Sequence, residues 1–145
     1  MEATRYNVLL IEDDLASIDF ARRVVAEFNF QIDLTVLSGS VAVLDWLNDC
    51  VAKNEQIPSI ILLDLKLPKL DGLAVLRTLR KHEAIKRDIP IVVFSTECTQ
   101  ADVLMSYQVG ANSFVAKPVD FAQFTNFFNE QMSYWLKLQR REKIM

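Results

Sequence analysis

Histidine and cysteine are scarce: one His (His82) and two Cys (Cys50 and Cys98) in 145 residues. A histidine cluster is excluded. The two cysteines form no close pair with metal-ligand spacing, so structural zinc is excluded as well. Both thiols are expected to be buried and reduced, in a cytoplasmic chain. Long apolar runs are missing, so nothing here spans a bilayer. No apolar stretch follows Met1-Glu2-Ala3-Thr4-Arg5, so no secretory signal is expected. A charge excess of either sign is missing too: 16 Lys and Arg face 19 Asp and Glu, for a net charge of −3. Without a basic field, non-specific nucleic-acid binding loses its electrostatic source. No internal repeat, low-complexity tract or linker divides the chain, and residues 1–145 read as a single domain. With 51% hydrophobic residues, that domain can bury a core.

Short, uninterrupted apolar runs alternate with stretches of helical period. Val8-Leu9-Leu10-Ile11, Ile60-Ile61-Leu62-Leu63 and Ile91-Val92-Val93-Phe94 suit strands buried on both faces of a parallel sheet. Ile32 to Leu37 and Phe114 to Ala116 are weaker strands. Spacings of three and four place Ile18, Ala21, Val25 and Phe28 on one helix face. The same pattern joins Val41, Leu44 and Leu47, and then Leu73, Leu76 and Leu79. Val103, Leu104 and Tyr107 mark a fourth helix, ended by Gly110. The last helix opens with a capping box, Asp120 and Gln123, and its apolar face runs Phe121, Phe124, Phe128, Trp135 and Leu138. Five strands alternating with five helices predict an α/β domain: a doubly wound, five-stranded parallel sheet in a three-layer, flavodoxin-like sandwich.

In such a sheet, ligands bind beyond the carboxyl ends of the strands. The residues that follow the runs are Glu12-Asp13-Asp14, then Asp64, then Ser95-Thr96, then Lys117-Pro118. Each has a bland reading; Asp14, for example, reads as a helix cap before Leu15 and Ala16. Together they place carboxylates, hydroxyls and a lysine on one sheet edge. Glu12, Asp13 and Asp64 would repel one another, and they form the oxygen-only set that suits Mg²⁺. Three negative charges balance Mg²⁺ plus the Lys117 ammonium. A phosphoryl group would fit that balance, with Ser95 donating a hydrogen bond and one carboxylate as nucleophile.

This ordered set resembles the receiver domain of two-component response regulators. The resemblance rests on Glu12-Asp13, on Asp64-Leu-Lys-Leu-Pro68-Lys-Leu-Asp71-Gly72, on Ser95-Thr96 and on Phe114-Val-Ala-Lys117-Pro118, and it covers Tyr6 through the final helix. It implies that a histidine kinase phosphorylates Asp64. It also implies that Glu12, Asp13, Asp64 and the backbone carbonyl of Lys66 hold Mg²⁺ or Mn²⁺. Ser95 would contact the phosphoryl group and drive the switch, with Thr96 narrowing access. Phe114 takes the switching aromatic position and Lys117 that of the family's lysine. Pro68, Gly72 and Pro118 belong to the turns that frame the site. The long connection His82 to Pro90, the Ser-Thr pair and the aromatic tail around Tyr134-Trp135 resemble the stand-alone regulators that partner bacterial phytochromes.

Competing readings fit less well. A haloacid-dehalogenase-type phosphatase needs an acid two residues after its nucleophile, where Lys66 stands. A flavodoxin-like FMN protein wants a phosphate cradle where Glu12-Asp13-Asp14 would repel phosphate. A pseudo-receiver acting as an interaction module would lack the acceptor or the lysine, and both are here. Neither DNA binding nor a membrane association is expected.

Two further expectations concern regulation. Lys66 and Glu97, each two residues past a site residue, are expected to pair as a gate over the phosphoryl group. Phe127 and Tyr134 form a second apolar stripe on a final helix of roughly 34 Å at 1.5 Å per residue. That stripe points to a homodimer through the fourth helix, the fifth strand and the last helix.

Overall fold

Strands that are apolar at every position need cover on both faces, and the topology supplies it. The computed structural model describes residues 5–27, 31–53, 57–67, 70–82, 85 and 89–144. In chain order the elements are β1 (Arg5–Ile11), α1 (Leu15–Glu27), β2 (Gln31–Leu37), α2 (Ser40–Lys53), β3 (Ile60–Asp64), β4 (Lys66–Leu67), β5 (Leu70–Asp71), α3 (Gly72–Lys81), β6 (Ile91–Ser95), α4 (Gln100–Val109), β7 (Ser113–Ala116) and α5 (Phe121–Ile144). Five strands form one sheet in the order β2-β1-β3-β6-β7, and every neighbouring pair is parallel. The doubly wound fold expected from the sequence is present. The sequence pattern had missed the two-residue strands β4 and β5, which pair antiparallel directly after Asp64.

Alternate residues of each strand serve opposite layers. Leu9, Ile11, Ile61, Leu63 and Val93 pack with Val43, Leu47, Val75, Leu76 and Leu79 of α2 and α3. Val8, Leu10, Ile60, Leu62, Val92 and Phe94 pack with Ala21 and Val24 of α1 and with Phe124, Phe128, Met132 and Leu136 of α5. α4 lies against α3 and β7.

Several faces differ from those predicted. Of the predicted α2 face, Leu47 is buried but Leu44 is exposed; among the described side chains Val43 and Cys50 complete the buried face. The side chains of Val41 and Leu138, and all of Phe28 and Pro68, lie outside the described residues. The fourth helix marked by Val103, Leu104 and Tyr107 forms, though Leu104 is 55% and Tyr107 47% exposed and Ser106 is the helix's buried residue. Gly110 does end α4, at φ 130°.

In α5, Phe127 is only 5% exposed. Its ring lies 5.7 Å from that of Phe94 and 5.8 Å from that of Phe124. It belongs to the core and is not available to a dimer face, because the α5 stripe that covers the sheet is wider than the one predicted. Tyr134 is exposed, its ring edge-on to Trp135. The capping box forms: Gln123 N–H donates to Asp120 Oδ1 at 2.8 Å, and Val119 N–H to Gln123 Oε1 at 3.1 Å. Cys50 is buried as expected, but Cys98 is exposed. Among the described residues, no helix is long and apolar enough to cross a membrane.

Candidate functional site

The order in which strands are added to the sheet reverses between β1 and β3, which opens a crevice at their carboxyl ends. Register decides what faces it. Ile11 pairs with Leu63, Asp64 with Phe94, and Ser95 with Ala116. Glu12, Asp64, Ser95 and Lys117 therefore leave four adjacent strands at the same edge, as the sequence pattern predicted.

Lys117 Nζ is the centre of the site. It lies 2.6 Å from Asp64 Oδ2, 3.0 Å from Glu12 Oε2 and 3.9 Å from Asp14 Oδ2. Asp64 is buried, and its other oxygen, Oδ1, accepts the backbone N–H of Lys66 at 3.0 Å. Glu12 is fully buried. Its Oε1 accepts the N–H groups of Asp13 and Asp14 at 3.1 and 3.0 Å, which aims Oε2 at the lysine. Oε2 forms the ion pair but no hydrogen bond of regular geometry. Asp14 caps α1, accepting from Ser17 Oγ at 2.8 Å and from the Ala16 N–H.

These surroundings reset the acid–base behaviour. Burial, reinforced by the Asp64 charge, pushes Glu12 from 4.5 up to about 7, against the opposing Asp14 N–H and Lys117. Burial pulls Lys117 down, but its bonds to Asp64 and Glu12 outweigh this and hold it above its ordinary value. The Ser17 hydroxyl, followed by Lys117, lowers Asp14 against the effect of its burial.

Two buried carboxylates on one ammonium leave the site short of positive charge. The donor set is all oxygen, and one buried oxygen, Glu12 Oε2, lacks a regular hydrogen bond; both features fit a hard cation such as Mg²⁺ or Mn²⁺. Among the described residues, no group of three or more Asp, Glu, His or Cys side chains is arranged to hold a metal ion. Glu12 and Asp64 converge on Lys117 instead, with Asp13 half-buried beside them.

Ser95 is buried. Its Oγ accepts the Glu97 N–H at 3.2 Å, and its carbonyl accepts the Lys117 N–H at 2.8 Å. Thr96 and Glu97 are exposed, Phe114 is half-buried and Pro118 is buried. The Phe114 N–H donates to Tyr107 Oη at 3.1 Å. At Gly72 a Cβ would come within 2.6 Å of Leu65 Cα and 2.8 Å of its carbonyl carbon, so a residue without a side chain lets α3 close against the loop after Asp64.

The expected Lys66–Glu97 gate is not what the side chains form. Lys66 Nζ pairs with Asp102 Oδ2 at 3.3 Å, on the first turn of α4. Sequence reasoning missed both Asp102 and Tyr107. Thr99 and Asp102 carry the spacing of a helix cap, and the Asp102 N–H does donate to Thr99 Oγ1. That spacing says nothing of a partner in another loop.

The profile of the response regulator receiver domain matches residues 8–129. The chain is 32% identical over 133 residues to the probable methanogenesis regulatory protein FilR2 of Methanothrix harundinacea, covering 92% of this chain and 85% of that one. It is 30% identical to the response regulator Rcp1 of Synechocystis, over 90% of this chain and 88% of that one. Among solved structures, the phosphorylated cyanobacterial phytochrome response regulator RcpA superimposes with a TM-score of 0.81 at 28% identity, covering 92% and 95% of the two chains. The Mn²⁺-bound form of Rcp1 superimposes at 0.78 and 30% identity, covering 90% and 94%. With most of its length matched by one profile and its fold shared with these regulators, the chain belongs to the response regulator receiver domain family and is a signalling protein of two-component systems.

Proposed function

We propose that this protein accepts a phosphoryl group from a sensor histidine kinase on Asp64, in the presence of Mg²⁺ or Mn²⁺, and signals through a change of conformation. The observation that carries this reading is the Lys117 ammonium 2.6 Å from Asp64 Oδ2, beside buried Glu12. An Asp64 oxygen attacks phosphorus and an O–P bond forms. The bond from phosphorus to the donor imidazole nitrogen breaks, and the imidazole leaves with that electron pair. Lys117 holds the carboxylate before transfer and stands ready to neutralise phosphoryl oxygens after it. Ser95 Oγ, now accepting from Glu97, keeps its own proton to donate to a phosphoryl oxygen. Glu12, Asp13, Asp64 and the Lys66 carbonyl would hold the cation, whose contribution is charge neutralisation.

The kinase is proposed to be of the phytochrome type, because RcpA is named as a phytochrome response regulator. Residues 1–145 act in this reading as one cytoplasmic receiver unit with no direct DNA contact. A homodimer through α4, β7 and α5 would use exposed Tyr134 and not Phe127. Incubation with acetyl phosphate and Mg²⁺, followed by intact-mass measurement, tests the acceptor. One added phosphate is expected on the wild type and none on Asp64→Asn; full labelling of that variant would overturn the assignment.

A further inference from the structure

α4 has few apolar anchors: Val109 packs against the core and Val103 is half-buried. Ser106 is its buried residue, its Oγ has no hydrogen-bond partner, and Leu104, Met105 and Tyr107 face solvent. Polar ties add to these anchors. At its carboxyl end, Arg80 Nε donates to Gly110 O at 2.8 Å, and Tyr107 Oη accepts from the Phe114 N–H. At its amino end, Asp102 meets Lys66 at 3.3 Å, with their side chains 17% and 42% exposed.

Lys66 is placed to report on Asp64. Its backbone N–H already donates to Asp64 Oδ1 at 3.0 Å, while its side chain reaches across to α4. One residue therefore touches the candidate acceptor through its main chain and the loose helix through its charge.

We propose that Lys66 and Asp102 form a charge latch that holds the first turn of α4 against the loop after Asp64, and that phosphorylation of Asp64 opens it. The opening step rests on the acceptor reading above; the latch itself does not. Transfer from acetyl phosphate breaks the donor's P–O bond, releases acetate and leaves an acyl phosphate on Asp64. About one further negative charge then stands beside Lys66. The flexible lysine stem lets the ammonium leave Asp102 for the new, denser charge. α4 then loses its amino-terminal tie and opens more often. The differential contact that a population shift requires is the ion pair itself, made in one state and lost in the other.

Hydrogen exchange of the α4 amides, read by mass spectrometry alongside the intact mass of the same samples, tests both parts. An exposed or half-exposed pair supports at most a several-fold change in local opening. Lys66→Gln and Asp102→Asn, unphosphorylated, are each expected to speed α4 exchange by about two- to fivefold, with β3 and β6 unchanged. The reversed pair, Lys66→Asp with Asp102→Lys, is expected to return α4 toward the wild-type rate. Wild type carrying phosphate by mass is expected to show the same acceleration, and Asp102→Asn no further one. Unchanged α4 exchange in both single variants overturns the latch. Phosphate present by mass with α4 unchanged overturns the opening step, as does a wild type that takes up no phosphate. That last outcome also removes Asp64 as acceptor, while the unphosphorylated variants still decide the latch.

Discussion

The Lys117 ammonium stands 2.6 Å from Asp64 Oδ2, on a residue 53 positions further along the chain. The same ammonium lies 3.0 Å from Glu12 Oε2, so one cation is shared between two buried acids. Removing it leaves both carboxylates uncompensated in a low-dielectric setting. Lys117→Met is expected to cost about 3 kcal/mol of stability near neutral pH, measured by urea unfolding in EDTA. Added Mg²⁺ is expected to restore part of the loss, because a hard cation offsets the same charges. A variant as stable as the wild type in EDTA would show that the ammonium does not hold this edge together.

Glu12 makes the metal-free protein sensitive to pH. Burial first, and Asp64 after it, raise its folded-state value from 4.5 to about 7. A raised carboxyl keeps its proton in the folded state after the unfolded chain has released its own. Its contribution is therefore fully present below about pH 4.5 and is lost as pH rises through about 7. In EDTA, stability relative to Glu12→Gln is expected to fall over that interval by up to about 3 kcal/mol. Urea midpoints of the two proteins at several pH values measure the difference. Saturating Mg²⁺ is expected to flatten the slope, since cation binding favours the ionised carboxylate. Parallel pH profiles for the two proteins would remove Glu12 as the origin.

Gly72 tests how tightly α3 is pressed against the acceptor loop. A methyl group there meets Leu65 backbone atoms, with Cα at 2.6 Å, and backbone cannot swing aside as a side chain can. Alanine is otherwise favoured over glycine inside a helix by about 1 kcal/mol. Gly72→Ala is nonetheless expected to destabilise by about 1–3 kcal/mol, read as a lower Tm. It is also expected to slow labelling of Asp64, because Leu65 follows the acceptor directly. A raised Tm would mean that the helix preference outweighs the collision.

Much of this was legible in the sequence because both-face burial writes an unbroken apolar run. Ile60–Leu63 and Ile91–Phe94 carry no polar residue, and the residues that end them, Asp64 and Ser95, stand at the site edge. Helix faces were less legible. Val43 and Leu44 are adjacent and both apolar, so spacing alone allowed either to face the core; the sheet selected Val43. The β4–β5 hairpin is two residues deep on each side, too short for any periodicity. The Lys66–Asp102 pair was invisible for a different reason. It joins β4 to the first turn of α4, which meet only after β3 and β6 have paired, and Glu97 was an equally suitable partner for Lys66 by residue type.

The aromatic residues of α5 separate folding from assembly. Phe127 and Tyr134 are seven apart, about two turns, and share one predicted stripe. They nonetheless differ in environment: at the turn that carries Tyr134, α5 covers the sheet with Met132 and Leu136, which are fully buried, and leaves Tyr134 to solvent. Phe127 sits among Phe94 and Phe124 at 5% exposure, whereas Tyr134 is 63% exposed and touches Trp135 edge-on. Phe127→Ala is expected to cost about 3–5 kcal/mol, as a large core side chain replaced by a cavity does. Tyr134→Ala is expected to stay within about 1 kcal/mol, since little is buried there. Urea unfolding of the two variants checks this pair of values. Sedimentation then asks whether Tyr134→Ala weakens self-association of a protein that is still fully folded. That question cannot be put to Phe127, because any change there is first a change in the core. Equal losses of stability at the two positions would show that Tyr134 is packed as firmly as Phe127.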